Sequence, residues 1–268
     1  MSPAPYSGRH TRTICRRLLM AITSVLITTA AHAQVEADVK ACADLKGDPA
    51  IQACTRAIDS KSSKVNMATL YFNRGVEWGL QGKYDNAIVD YSAVLKLNPK
   101  HREAYNNRGN AYKRKGKYDE AVADYSEAIK LDPANARYYR NRARAHQDRG
   151  KHFSAQLDYT VALAKDGKDA ASMDGLAWIA ATSSDSKVRN GKRAVELATQ
   201  ACELTQWKNP SFIDTLAAAL AEDGNYKEAI RRQEEALANP EFEKSDGANA
   251  RNRLKQYKAG KAIRLKAT

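Results

Sequence analysis

The phrase Tyr71-Phe72-Asn73-Arg74-Gly75 returns as Tyr105-Asn106-Asn107-Arg108-Gly109 and as Tyr139-Arg140-Asn141-Arg142-Ala143, at a fixed spacing of 34 residues. Gly82-Lys83-Tyr84, Gly116-Lys117-Tyr118 and Gly150-Lys151-His152 keep the same step, as do Ala87, Ala121 and Ala155, and Tyr91, Tyr125 and Tyr159. Pro99 and Pro133 close the first two units. A period of this length belongs to stacked helix pairs, each too small to bury its own apolar face. Such arrays seldom carry chemistry; they carry partners on an extended surface.

Each unit reads as two antiparallel helices. In the second, helix A runs from about Glu103 to Lys115, and helix B from about Asp119 to Leu131, ending before Pro133, which cannot continue a helix interior. Gly109 and Ala121 are small so that two backbones can approach, and Tyr112, Tyr125 and Leu131 fill the space around them. Beyond Gly167 the pattern degrades without stopping. A helix A ends near Ala181, an insertion from Thr182 to Asn190 follows, and a helix B spans Lys192 to Leu204. A final unit runs from about Phe212 to Leu237, with Gly224-Asn225-Tyr226 as its turn.

These units resemble tetratricopeptide repeats, with an aromatic at position 4, small residues at 8, 20 and 27, an aromatic at 24 and proline at 32. The third unit departs from the pattern, with Gly167 where proline is expected and His146 where an aromatic sits. The resemblance implies an all-α, right-handed solenoid of antiparallel helix pairs with N- and C-terminal capping helices. Five segments follow: a signal peptide over 1–33, a capping helix pair over 34–64, three regular repeats over 65–166, one degenerate and one further repeat over 167–240, and a capping helix with a basic tail over 241–268. The tail is expected to be solvated beyond about Ala259.

The leader reading rests on Arg9, Arg12, Arg16 and Arg17, an apolar stretch from Leu18 to about Ala31, and the small-x-small site Ala31-His32-Ala33. Cleavage is expected between Ala33 and Gln34, giving an exported, periplasmic protein. The apolar run falls short of the roughly 20 residues that a membrane span needs, so no stable span is expected after cleavage. The chain carries 44 basic and 31 acidic residues, and the leader removes four of the former, leaving +9. That charge favours anionic partners, while export and the lack of any nucleic-acid-binding motif argue against nucleic acid. Cys42 and Cys54 lie on two short helical patterns, 36–45 and 49–60, joined by Lys46-Gly47-Asp48. In an oxidising compartment they are expected to form a disulfide; the alternative is two small core residues that never pair. Cys202 has no partner and reads as a buried thiol.

Within the resemblance, helix A supplies the partner-facing surface, at positions 2, 5, 6, 9, 12 and 13. Position 6 is Asn73, Asn107 and Asn141. Asparagine is a mediocre helix former, but its amide can grip a peptide C=O and N–H together. The column resembles the asparagine ladder of the superhelical repeat domain in O-linked N-acetylglucosamine transferases; the alternative is mere duplication of a common repeat. Asn110 and Lys113 on the second repeat, and Arg137, Arg140 and Arg144 on the third, make the same face basic. Chaperone-type relatives hold a terminal carboxylate through a five-residue clamp; Asn107 and Arg137 fall on two of its positions, and Phe72, Val76 and Asn141 replace the others. The implied function is a protein-interaction scaffold binding extended, acidic segments. Alternatives are an adaptor docking folded envelope proteins through its outer face, or a binder of anionic glycan or lipid headgroups. His101, His146 and His152 show no metal-ligand spacing, and there is no nucleophile elbow or phosphate loop. No catalysis, cofactor or metal is expected, and the oligomeric state is not fixed.

Overall fold

The computed structural model describes residues 29–62 and 65–265; the leader reading as far as residue 28 lies outside them. All regular structure among the described residues is helical. A helix over 29–44 (α1), which runs through Ala33 and Gln34, is followed by α2 (Gly47–Asp59), α3 (Met67–Leu80) and α4 (Tyr84–Leu97). Then come α5 (Arg102–Arg114), α6 (Tyr118–Leu131), α7 (Ala136–Asp148), α8 (His152–Lys165) and α9 (Ala170–Thr182). The last four are α10 (Gly191–Leu204), α11 (Pro210–Glu222), α12 (Tyr226–Leu237) and α13 (Pro240–Lys258). The chain divides into two compact units, one ending at Pro99 and the other beginning at Lys100.

Inside each unit consecutive helices pack on one another, as a repeat array requires. Helix A of a repeat ends on a glycine in the left-handed region: Gly82, Gly116, Gly150 and Gly224 have φ between 73° and 85°. The next N–H then reaches back to close the turn, as in Lys117 to the Tyr112 carbonyl at 2.9 Å. Gly109 serves a different purpose: an added Cβ would meet the Tyr125 ring at 2.9 Å, so the absent side chain is what lets this ring lie between α5 and α6.

A second recurring device joins helix A to helix B and one repeat to the one before. Arg108 grips Asp124 with two hydrogen bonds of 2.8 Å, and Arg142 grips Asp158 in the same way. The third guanidinium nitrogen of Arg142 donates to Ser126 Oγ on the preceding repeat at 3.0 Å. In the first unit Arg74 repeats the pattern, forking onto Asp90 and donating to Thr55 Oγ1 at 2.9 Å. Planar, bidentate pairing of this kind is what arginine provides and lysine does not.

In the first unit Cys42 and Cys54 form a disulfide at a Cα–Cα distance of 4.7 Å, beside Ala53, Ala57, Ile58 and Leu70. Glu77 of α3 accepts the Gly47 N–H at 2.7 Å and so holds the start of α2. Reducing the disulfide is expected to lower the stability of this unit by about 2–3 kcal/mol on the chain-entropy estimate. The midpoint of urea unfolding should fall with reductant in the wild type, and not in the Cys42→Ser/Cys54→Ser variant. A wild-type midpoint indifferent to reductant would show that the helix pair holds without its crosslink.

The second unit has its largest core where α9 to α13 meet, around Leu197, Phe212, Leu216, Phe242 and Tyr257. Every residue of α11 from Phe212 to Ala221 is buried. Cys202 is a buried free thiol, and burial pushes its pKa up to about 12, which makes it inert. The segment after α13 differs from the solvated tail expected of it. Gly260, at φ 67°, turns the chain back. Ile263 is buried, the Leu265 N–H donates to the Thr182 carbonyl at 2.8 Å, and Arg264 pairs with Glu222 at 2.6 Å. A run of basic residues here conceals one apolar anchor and one backbone pairing.

Candidate functional site

The residues singled out from the sequence fall on helix A of each repeat, and the structure shows which of them are already engaged. Asn73 stands part-buried on α3 of the first unit. Asn107 and Asn141 belong to the second unit, where the fully buried Asn106 joins them. Asn141 Nδ2 donates to Asn106 Oδ1 at 2.8 Å, and Asn106 Nδ2 donates to Asn107 Oδ1 at 3.1 Å. This relay consumes one end of each outer amide and leaves the Asn107 donors and the Asn141 acceptor. Asn110 accepts the Tyr125 hydroxyl at 2.7 Å.

Two of the arginines are paired internally. Arg137 pairs with Glu103 at 2.6 Å, and the same carboxylate takes the Tyr138 hydroxyl at 2.5 Å. Arg140 donates to the buried Asp169 at 2.7 Å, and Asp169 also takes the Ser172 hydroxyl at 2.7 Å. Lys113 sits 3.5 Å from Asp148, a loose pair with the aspartate largely exposed. Arg144 is exposed and makes no salt bridge among the described residues.

Lys113 and Arg144 are brought together at a pocket of about 190 Å³ where α5, α7, α8 and α9 meet. Gln147, Asp148, Tyr159, Asp174 and Gly175 complete its lining. The Tyr159 hydroxyl donates to Gln147 Oε1 at 2.9 Å, so the ring and the amide fix one another at the base. Gly175 makes room for that ring, because an added Cβ would lie 2.3 Å from it. Asp174 adds a second carboxyl, beside Asp148, to a site that also holds Lys113 and Arg144. Burial pushes its pKa up to about 7, against the lowering influence of the Thr215 hydroxyl and Arg144.

Sequence reasoning missed Asp174, although the signal was present. Counting one period on from Arg140 lands on it, but the fourth repeat is degenerate and its helix A was not read in register. The pairing of Asp90, Asp124 and Asp158 with the recurring arginines was missed in the same way, since the aspartates also recur every 34 residues.

The model of the TPR repeat family matches residues 80–116 and 109–150. No curated protein sequence matches significantly. Among solved structures, MamA of Desulfovibrio magneticus RS-1 is similar at 17% identity and a TM-score of 0.57, over 67% of this chain and 97% of that one. A thermophilic TPR protein of Thermus thermophilus gives 18% identity and a TM-score of 0.54, over 72% of this chain and 98% of that one. YrrB, described as a TPR protein with an unusual peptide-binding site, gives 17% identity and a TM-score of 0.55, over 76% and 99%. At these identities the likeness concerns the fold. With the repeat period, the glycine turns and the family match over residues 80–150 in agreement, the described residues form a tetratricopeptide-type array of helix pairs.

Proposed function

We propose that this protein is an exported scaffold that binds an extended, acidic segment of a partner protein along the helix-A face of its second unit. One observation carries the reading: Lys113 and Arg144 converge on a pocket in which Arg144 has no carboxylate partner among the described residues. An exposed guanidinium beside a cavity suits bidentate capture of a carboxylate. The part-committed amides of Asn107 and Asn141 would hold main chain next to it, while Arg137 and Arg140 shape the face through Glu103 and Asp169. The peptide-binding site named for YrrB supports the idea that this architecture can host one. Export is supported by the leader pattern and by the Cys42–Cys54 disulfide, which persists in oxidising compartments.

The test compares the wild type with Lys113→Ala/Arg144→Ala as baits in an envelope extract. Partners held by this face should be lost from the double variant and should weaken with added salt, because exposed charges are screened. A partner list that survives both changes would overturn the reading. One observation favours docking through the helix-B side instead: Phe153 and Leu157 of α8 are 75% and 58% exposed. In that event Phe153→Ser should empty the bait while the double variant keeps its partners.

A further inference from the structure

Asp174 is the feature of the pocket for which an acidic ligand has no use. Its Oδ1 is buried and has no hydrogen-bond partner. A carboxylate oxygen buried without a donor is destabilising, and a group left so beside an open cavity is a candidate for ligand contact. The donors around it are placed for other work. Lys113 faces Asp148, and Gln147 is fixed to Tyr159 through its carbonyl oxygen. Arg144 attracts Asp174 from α7 but forms no salt bridge with it. Asp214 of α11 adds a second negative charge behind Asp174, itself held by Gln233 and Arg253. The pocket therefore presents Lys113 from α5 with its partner Asp148, Arg144 from α7, and from α9 a carboxyl whose Oδ1 has no donor.

We propose that the pocket seats the ammonium of a lysine side chain against Asp174, while a neighbouring carboxylate of the same segment takes Arg144, so that the partner segment carries mixed charge. This rests on the peptide-binding reading above and refines its ligand. A compact ammonium on a slender stem matches a cavity of about 190 Å³ whose wall holds the Asp174 carboxyl, with Asp148 already facing Lys113. An arriving cation also supplies what Asp174 needs in order to ionise near neutrality, since burial alone holds its carboxyl protonated up to about pH 7.

The experiment is a selection from a random peptide library on the full chain, run in parallel on the wild type, Asp174→Asn and Arg144→Gln. The strongest wild-type peptide is then measured by calorimetry against its lysine-to-norleucine version. The wild type should enrich sequences with a lysine close to an aspartate or glutamate. Norleucine should weaken wild-type binding by about tenfold to a hundredfold, as expected for a charge-assisted hydrogen bond, and leave Asp174→Asn binding unchanged. Arg144→Gln should keep the lysine preference and lose the acidic one. Enrichment of acidic sequences without lysine, or an equal norleucine loss on Asp174→Asn, would overturn the lysine seat and leave the scaffold reading standing. No enrichment on the wild type would overturn both.

Discussion

Gly175→Ala is expected to destabilise the second unit by about 3 kcal/mol, the upper end for overpacking a filled site. The new Cβ would fall 2.3 Å from Tyr159 Cζ and 2.5 Å from Cε2, inside any real carbon contact. The ring cannot easily yield: Tyr159 is 1% exposed and its hydroxyl is fixed to Gln147. Alanine is the better helix former by about 1 kcal/mol, which opposes the clash without matching it. Gly109→Ala, whose Cβ would meet Tyr125 at 2.9 Å, should cost less because a small shift relieves it. Urea unfolding followed by far-UV circular dichroism orders the two. A Gly175→Ala protein as stable as the wild type would mean that Tyr159 does not lie where the packing puts it.

Asp174→Asn should stabilise the protein, and by an amount that depends on pH. The folded carboxyl keeps its proton up to about pH 7, whereas the unfolded one releases it near 3.8. Between those values the folded state binds the extra proton, so wild-type stability falls as pH rises through this window and levels off above it. Asparagine removes the titration. Its advantage should be nearly absent below pH 4 and approach about 4 kcal/mol at pH 8. Thermal unfolding at both pH values measures the difference, and an equal effect at each would show that Asp174 is not held protonated by burial. A residue whose loss stabilises the fold is retained for some purpose other than stability.

The sequence stated the helix pairs and their turns because period, glycine and proline are local signals, and α5 and α6 begin and end within a residue or two of where those signals fall. Gly109 opposite Tyr125 was legible for the same reason, as contacts inside one repeat recur with it. Contacts between repeats were harder to read. Asn106, Asn107 and Asn141 look equivalent in one dimension, and only the rotation of α7 against α5 buries Asn106 and makes it the link. Arg140 and Arg144 share a helix and a chemistry, yet Asp169 occupies the first, while the second makes no salt bridge among the described residues. The segment after α13 was least legible, since Ile263 and Leu265 stand among cations and Thr182, which accepts the Leu265 N–H, lies far back in the chain.

That return contact has a consequence for the order in which the second unit can form. A stacked array ordinarily assembles from neighbour to neighbour and frays from its end. Here the end of α9 is completed by a backbone hydrogen bond from Leu265, so the helices between Thr182 and Leu265 lie within one closed loop. During synthesis the repeats built on α5 to α8 can settle as they emerge. The α9–α13 core reaches its final form only once residue 265 is free of the ribosome, and non-local closure of this kind is the slow kind. Ending the chain at Gly260 should therefore expose the last repeats to proteolysis first, while the regular repeats before them resist.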